Sequence, residues 1–161
     1  MQIVCLMGAK GSAKKQVERV LEDFGFKRSI SYTTRKPMIK DGKLEEFGDE
    51  YKFVTLDKFM DLVNKGFIIE CENYNGEYYG TPIPLGADRF VAVVGANGFK
   101  ALREKYGEQV IGVYLETVGM GFDAFTSDEN IKADIVIDST MTIEYTVNEI
   151  LTKLKGRTDV K

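Results

Sequence analysis

The stretch that decides the fold is the first one, Met1–Lys15, which reads MQIVCLMGAKGSAKK. Its first half, Gln2–Met7, is almost entirely apolar and predicts a short strand buried in a sheet. A glycine-rich turn follows, and apolar residues at helical spacing predict a helix over Lys14–Phe24. A buried strand, a glycine turn and a helix in this order are typical of the first unit of an α/β protein.

The turn itself is close to a phosphate-binding loop (P-loop), whose pattern is G-x-x-x-x-G-K-[ST] after a buried strand. Gly8 and Lys14 are in register with the first glycine and the lysine of that pattern, and Gly11 lies between them. Ala13, however, stands where the second glycine belongs, and Lys15 stands where the hydroxyl residue belongs. Taken alone, the stretch also fits an ordinary tight turn followed by a solvated helix start.

Composition restricts the class of protein. The 161 residues are 43% hydrophobic and 29% charged with a net charge of -3, which is typical of one soluble domain and predicts no attraction to nucleic acid or to an anionic membrane. No secretion signal and no apolar run of membrane-spanning length is visible, so a cytoplasmic protein is expected. The chain has no histidine, and Cys5 and Cys71 are expected to be free thiols, so no metal site is predicted.

Strands and helices alternate at both ends of the chain, which predicts a parallel sheet. The later strands are expected at Phe90–Val94, Val110–Leu115 and Ala133–Asp138, with helices at about Gly98–Tyr106 and over Ile143–Lys155. The core is therefore assigned to residues 1–31 and 82–161.

The middle of the chain, residues 32–81, is interpreted as an antiparallel insertion. Asn75-Gly76 is a strong turn signal between two extended segments and predicts a hairpin. Thr55 is expected to cap a helix, and Arg35–Gly48 is polar and glycine-containing, which predicts an exposed loop.

Four motifs lie in and beside this insertion: Ser31-Tyr-Thr-Thr-Arg35-Lys-Pro37, Gly48-Asp-Glu-Tyr51-Lys-Phe-Val54, Phe67-Ile-Ile-Glu70 and Gly76-Glu-Tyr-Tyr79-Gly-Thr81. In order and spacing they resemble the guanylate kinase family, over Met1 to about Thr81. The resemblance implies a three-layer P-loop kinase-like core with a parallel sheet. It also implies that the small antiparallel α+β insertion holds GMP.

The resemblance implies that Arg35, Tyr51 and Tyr79 hold the phosphate of GMP. The chemistry agrees, because a guanidinium offers a planar fork of donors and a phenol offers one more. Each residue also has a structural interpretation, since tyrosines fill hydrophobic gaps and arginines form surface ion pairs.

The base is expected to contact Glu70, Ser31 and Thr81. By the resemblance, Glu70 accepts from the guanine N1–H and 2-amino groups, a pairing that adenine cannot reproduce. Ser31 and Thr81 are expected to supply hydroxyl contacts. A surface ion pair is again the alternative for Glu70.

The chain departs from the family at the positions that serve the triphosphate. Ala13 adds a Cβ where the backbone must approach phosphate and is expected to require an unfavourable dihedral. Lys15 removes the hydroxyl that would bind Mg²⁺. Met38 replaces the second arginine of the monophosphate site, and Val93 and Gly95 replace an acidic pair.

The lid is also reduced. The family carries an arginine-rich lid between its last two core strands, whereas the gap here, from Glu116 to Lys132, contains no arginine. Arginines in such reactions contribute about 10³–10⁵ in rate, so efficient phosphoryl transfer is not expected.

Three functions stay open at this level. The first is a guanine-nucleotide-binding protein whose phosphoryl transfer is weak or lost. The second is a minimal active guanylate kinase, for which alone ATP with Mg²⁺ would be a cofactor. The third is a binding module of the same fold that uses Arg35, Tyr51 and Tyr79 for a phosphorylated protein partner.

Overall fold

The computed structural model describes residues 1–9, 11–116, 132–138 and 140–158. The chain divides into two compact units, Met1–Arg28 with Ala87–Lys161 and, separately, Ser29–Gly86. The predicted lid-sized gap lies outside the described residues over positions 117–131, as does Lys10 of the turn. In chain order the elements are β1 Gln2–Gly8, α1 Lys14–Asp23, β2 Lys27–Ser29, β3 Tyr32–Thr33, β4 Ile39–Lys40, β5 Lys43–Leu44, β6 Lys52–Phe53, α2 Leu56–Asn64, β7 Ile68–Tyr74, β8 Glu77–Pro82, β9 Arg89–Val93, α3 Ala96–Tyr106, a 3₁₀ turn Gly107–Gln109, β10 Val110–Glu116, β11 Ile135–Asp138 and α4 Ile143–Thr158.

The larger unit is built on a five-stranded sheet in the order β11-β10-β1-β9-β2. β1 pairs in parallel with both β9 and β10, and β10 pairs in parallel with β11. This confirms the predicted parallel sheet. The strand that opens the sequence is the central one, because its residues are apolar on both faces and can be covered on both.

Helices cover both faces of this sheet. On one face Val4 and Leu6 of β1 join a cluster of buried residues that includes Leu21 of α1 and Ile150 of α4. On the other face α3 lies so close to β10 that a Cβ on Gly112 would come within 2.6 Å of the Phe99 ring. The absence of a side chain at position 112 therefore allows the helix to pack against the sheet.

The smaller unit contains a four-stranded sheet in the order β6-β3-β8-β7. β7 and β8 form the predicted hairpin, and its turn residues Asn75 and Gly76 both have positive φ, 51° and 85°. The sheet is not wholly antiparallel as predicted, because β3 pairs with β6 in parallel. The connection over residues 34–51 is long enough for the chain to return in the same direction, which parallel pairing requires.

The predicted loop Arg35–Gly48 also needs correction, because it contains a two-stranded antiparallel ribbon of β4 and β5. The ribbon turns at Asp41 and Gly42, whose φ angles are 51° and 77°. Positive φ at both central residues defines the tight hairpin turn that Asp-Gly favours. That dipeptide was a readable signal, but its immediate neighbours Lys40 and Lys43 are charged and only one apolar residue follows on each side, Ile39 and Leu44.

Two smaller predictions, the cap of α2 and the two free cysteines, are confirmed. The Thr55 side chain accepts a hydrogen bond from the Lys58 amide at 3.2 Å at the start of α2. Cys5 is a buried free thiol and Cys71 an exposed one. Within the described residues, no helix is long and apolar enough to cross a bilayer.

Candidate functional site

The turn between β1 and α1 needs glycine at its first position. Gly8 has a φ of 153°, and a Cβ there would lie 2.7 Å from the Leu115 carbonyl oxygen and 2.8 Å from the Ser12 Oγ. Such distances exclude any side chain at position 8. The turn is closed by a hydrogen bond from the Ser12 amide to the Ala9 carbonyl at 3.1 Å.

Ala13 has a left-handed backbone conformation, with φ 65° and ψ 23°. It occupies the position before α1 and makes no side-chain hydrogen bond to the helix. A left-handed conformation costs a residue with a Cβ about 1–2 kcal/mol, whereas glycine adopts it freely. The predicted unfavourable dihedral is therefore confirmed.

The Lys14 ammonium points back into the turn. Its Nζ donates to the Gly8 carbonyl at 2.5 Å and lies 3.4 Å from the Ala9 carbonyl. A phosphate at this turn would have to compete with those two carbonyls for the charge. Lys15 follows in the first turn of α1 and offers donors but no metal ligand.

The donor set does not suit a resident Mg²⁺. The part of the chain that the structure describes holds no group of three or more acidic, cysteine or histidine side chains able to bind a metal. At the positions of the family's acidic pair, Val93 ends β9 and Gly95 precedes α3 without a side-chain cap. Mg²⁺ prefers oxygen ligands, chiefly carboxylates, phosphates and water, so this chain offers it little of its own.

The larger unit has a wide cleft of 1470 Å³, which lies where the strands of the sheet begin, at the opposite end of the strands from the turn. It is lined where strands begin, at Gln2, Arg89 and Val110, whereas the turn follows the end of β1. Its basic residues include Arg103 and Arg157, in the last turns of α3 and α4, where cations complement the helix dipoles. The cleft is thus a structural feature distinct from the P-loop.

Arg35, in the smaller unit, is held by a carboxylate that the sequence analysis did not single out. Its two terminal nitrogens lie 2.7 Å and 3.2 Å from the two oxygens of Glu45, a bidentate pair. The guanidinium lowers the pKa of Glu45 to about 2, and this hydrogen bond is also the largest cause of the raised pKa of Arg35. The Met38 amide donates to the same carboxylate at 2.9 Å.

Tyr51 and Tyr79, the other two residues predicted to hold a phosphate, lie beside the Arg35 guanidinium. Its carbon lies 5.3 Å from the centre of the Tyr51 ring and 5.5 Å from the centre of the Phe53 ring. The Tyr51 and Tyr79 rings meet edge to face at 5.6 Å. A hydrogen bond with the Tyr79 side chain adds to the raised pKa of Arg35.

Glu70 and Thr81 face each other across β7 and β8, as their register requires. The Thr81 hydroxyl donates to Glu70 Oε2 at 3.0 Å, while the buried Oε1 accepts no hydrogen bond from the described residues. Burial raises the pKa of the Glu70 carboxyl, and the Glu72 carboxylate adds to that rise. While Glu70 and Glu72 are both ionised, one acceptor oxygen of Glu70 thus has no donor among the described residues.

Ser31 is the predicted residue that the structure does not bring into either group. Its carbonyl accepts from the Lys52 amide at 2.9 Å in the pairing of β3 with β6. No hydrogen bond among the described residues joins its hydroxyl to Glu70 or Thr81. Glu45 and Phe53 were missed because one is a charge among several in a polar segment and the other is an ordinary strand residue.

The sequence matches the family model for guanylate kinase over residues 1–84, more than half of the chain. The chain belongs to the guanylate kinase family. A guanylate kinase from Lactobacillus acidophilus is 34% identical over 118 residues, which are 67% of this chain and 55% of that protein. A guanylate kinase from Nitratidesulfovibrio vulgaris is 36% identical over 88 residues, 53% of this chain and 41% of that protein. The chain thus spans about half the length of these relatives.

The fold agrees with this family. A crystal structure of guanylate kinase from Anaplasma phagocytophilum superposes with a TM-score of 0.73 at 25% identity, covering 97% of this chain and 85% of that one. The predicted α/β class with a parallel central sheet is confirmed. A membrane-associated guanylate kinase, WW and PDZ domain-containing protein 3, from Xenopus tropicalis, is also similar, with 36% identity over 75 residues, 47% of this chain and 6% of that protein.

Proposed function

We propose that this guanylate kinase family member binds GMP or a related guanine nucleotide through Arg35, Tyr51, Glu70 and Tyr79, with phosphoryl transfer from ATP weak or lost. The observation that carries the proposal is the assembly of two tyrosines around one guanidinium already fixed by Glu45.

A phosphate suits this cluster because its donors are held in place before a ligand arrives. A guanidinium has five N–H donors. The bidentate pair with Glu45 uses two of them and fixes the plane of the group, and Nη1 also donates to the Lys36 carbonyl at 3.2 Å. The remaining donors and the two phenols can then approach a phosphate together. Preorganised charged donors of this kind bind phosphate more strongly than flexible ones.

Guanine suits Glu70 for a separate reason. The N1–H and 2-amino groups of guanine are donors, whereas adenine presents an acceptor at N1 and has no 2-amino group. Glu70 Oε1 is a buried acceptor without a protein donor, so guanine would satisfy it and adenine would not. Thr81 holds the other oxygen and so orients the carboxylate.

Weak phosphoryl transfer is proposed from the turn of the larger unit. Catalysis of this reaction depends on positioning and on positive charge around the transferred group. Here Ala13 carries strain, the Lys14 ammonium is hydrogen-bonded to the turn itself, and Lys15 replaces the metal-binding hydroxyl. All three residues belong to the turn that would bind the phosphates of ATP, and none is among the residues proposed to bind GMP.

Calorimetric titration with GMP, AMP and guanosine, followed by an ADP-release assay with GMP, ATP and Mg²⁺, tests the proposal. We expect saturable GMP binding, at least tenfold weaker AMP binding, and turnover near background. Absence of GMP binding at millimolar ligand would refute the binding proposal. Turnover of 1 s⁻¹ or more, which is ordinary for kinases, would refute the loss of transfer.

An active minimal kinase is the second candidate, favoured by Gly8 and Lys14, which keep their P-loop positions, and by the relatives named guanylate kinase. Its ATP would bring Mg²⁺ with it. The same ADP-release assay decides between the two, provided that Arg35→Lys lowers any turnover that is seen.

A phosphorylated protein partner is the third candidate, favoured by the similarity to the membrane-associated guanylate kinase of Xenopus tropicalis. The Arg35 cluster would then hold a phosphoserine. A phosphopeptide displaced by GMP from the wild type, and not bound by Arg35→Lys, would support this candidate.

A further inference from the structure

The β4–β5 ribbon has one apolar face and one basic face. Ile39 pairs with Leu44, and Lys40 pairs with Lys43. Residues directly opposite in an antiparallel pair point to the same face, and successive residues point to opposite faces. Lys40 and Lys43 therefore place two ammonium groups on one side of a very short ribbon, a like-charge pair that is unfavourable unless anions balance it.

The Lys40 ammonium lies beside the Arg35 cluster. Its Nζ is 3.6 Å from Glu45 Oε2, the oxygen that also accepts from Arg35, and 3.5 Å from Glu50 Oε2. Its charge also acts on the Tyr51 hydroxyl, where it offsets part of the rise in pKa that burial causes. Lys40 thus contacts the carboxylate that holds the guanidinium, and its charge acts on the Tyr51 phenol.

The cluster needs a further positive charge if it is to hold a phosphate monoester. Glu45 has a pKa of about 2, so at neutral pH it is ionised and cancels the charge of Arg35. A phosphate monoester brings about −1.5 to −2 charges at pH 7. Met38, which stands where the resemblance expects a second arginine, donates its backbone amide to Glu45 and contributes no charge.

The two carboxylates around Lys40 differ in exposure. The Glu45 side chain is 7% exposed and already fixed by Arg35, whereas the Glu50 side chain is 36% exposed and that of Lys40 is 49% exposed. A solvent-exposed ion pair contributes little free energy, so the contact with Glu50 can be exchanged readily. The contact with Glu45 keeps the ammonium close to the cluster during the exchange.

We infer that Lys40 is the second cation of the phosphate site and moves from Glu50 to the phosphate of a bound nucleoside monophosphate. This rests on the proposed function of the Arg35 cluster. Lys40 is then a specificity residue for the phosphate, since it contributes to GMP and not to guanosine.

Calorimetric titration of the full chain with GMP and with guanosine tests the inference on the wild type and three variants. Lys40→Met should weaken GMP binding about tenfold and leave guanosine binding unchanged, as expected for one lost charged contact. Lys40→Arg should restore GMP affinity to within about twofold. Lys58→Met removes an exposed lysine of α2 in the same unit and should change neither affinity.

The salt dependence supplies a readout that a structural role for Lys40 would not move. The loss of GMP affinity between low and high salt should be smaller in Lys40→Met than in the wild type. Equal GMP affinity of Lys40→Met and wild type would overturn the inference and leave the proposed function intact. Equal losses for GMP and guanosine would also overturn it. Absence of GMP binding by the wild type would overturn both proposals.

Discussion

In the turn before α1 the Lys14 ammonium is engaged with carbonyls of the turn itself, whereas the Arg35 guanidinium of the smaller unit is held in position by a carboxylate. Lys14 donates to the carbonyls of its own turn, and Ala13 adopts a conformation that favours glycine. Arg35 is also paired, with the Glu45 carboxylate that fixes its plane and, through Nη1, with the Lys36 carbonyl at 3.2 Å. The difference shows that keeping a basic residue in a motif is not enough: what the charge is bonded to decides whether a ligand can use it.

Removal of the Arg35 charge should have the largest effect on this comparison. We expect Arg35→Ala to weaken GMP binding by roughly 100-fold or more, because it removes the charged phosphate donor and leaves Glu45 without its partner. Calorimetry measures the affinity, and circular dichroism shows whether the variant is folded. The double variant Arg35→Met, Glu45→Gln removes both charges and is the control for an unpaired carboxylate. GMP binding that survives in a folded double variant would place the phosphate elsewhere.

Glu70→Gln should have the next largest effect. The amide keeps the size of the side chain but presents donors as well as an acceptor, so guanine loses about 10–100-fold in affinity. Titration with GMP and AMP should show the preference for GMP shrinking. Thr81→Val, which removes the hydroxyl that orients Glu70, is expected to have a smaller effect in the same direction. An unchanged ratio of GMP to AMP affinity in Glu70→Gln would show that the carboxylate does not read the base.

Ala13→Gly tests the other side of the comparison. Glycine adopts φ 65° without the Cβ penalty, so the variant should be more stable by about 1 kcal/mol after the entropy cost of glycine. Urea denaturation measures the change. Ala9→Gly, in the same turn, is a matched control for added chain flexibility. A loss of stability in Ala13→Gly equal to that in the control would mean that position 13 carries no strain.

The smallest effect concerns acid stability. The pKa of Glu45 is depressed in the folded protein, so its contribution to stability is fully present above its ordinary pKa of 4.5 and is lost as the pH falls toward about 2. The urea concentration at the midpoint of unfolding should therefore decrease as the pH is lowered from 4.5 toward 2. The decrease should be smaller in Glu45→Gln. Identical pH profiles of the two proteins between pH 5 and 2 would contradict the pairing with Arg35.

The fold was readable from the sequence because its signals are local. Apolar runs gave the central strands, and Asn75-Gly76 gave the hairpin. The ribbon at Asp41-Gly42 was missed because charged neighbours hide a turn signal of the same type. The parallel pairing of β3 with β6 could not be read, since each strand is only two residues long and carries no periodic pattern.

The candidate site was readable only in part, for a similar reason. Motif spacing identified Arg35, Tyr51 and Tyr79, and the structure brings them together. The partner of Arg35 could not be chosen among several acidic residues between positions 41 and 50, because the sequence does not say which carboxylate faces inward. Glu45 is singled out only by the folded ribbon and the bonds it makes.

Parallel titrations of one preparation with GMP and with ATP and Mg²⁺ test the central claim most directly. The claim is that the monophosphate site is retained and the triphosphate site is degraded. It predicts saturable GMP binding and ATP binding at least tenfold weaker, with no gain in GMP affinity when ATP is present. ATP binding as tight as GMP binding would contradict it.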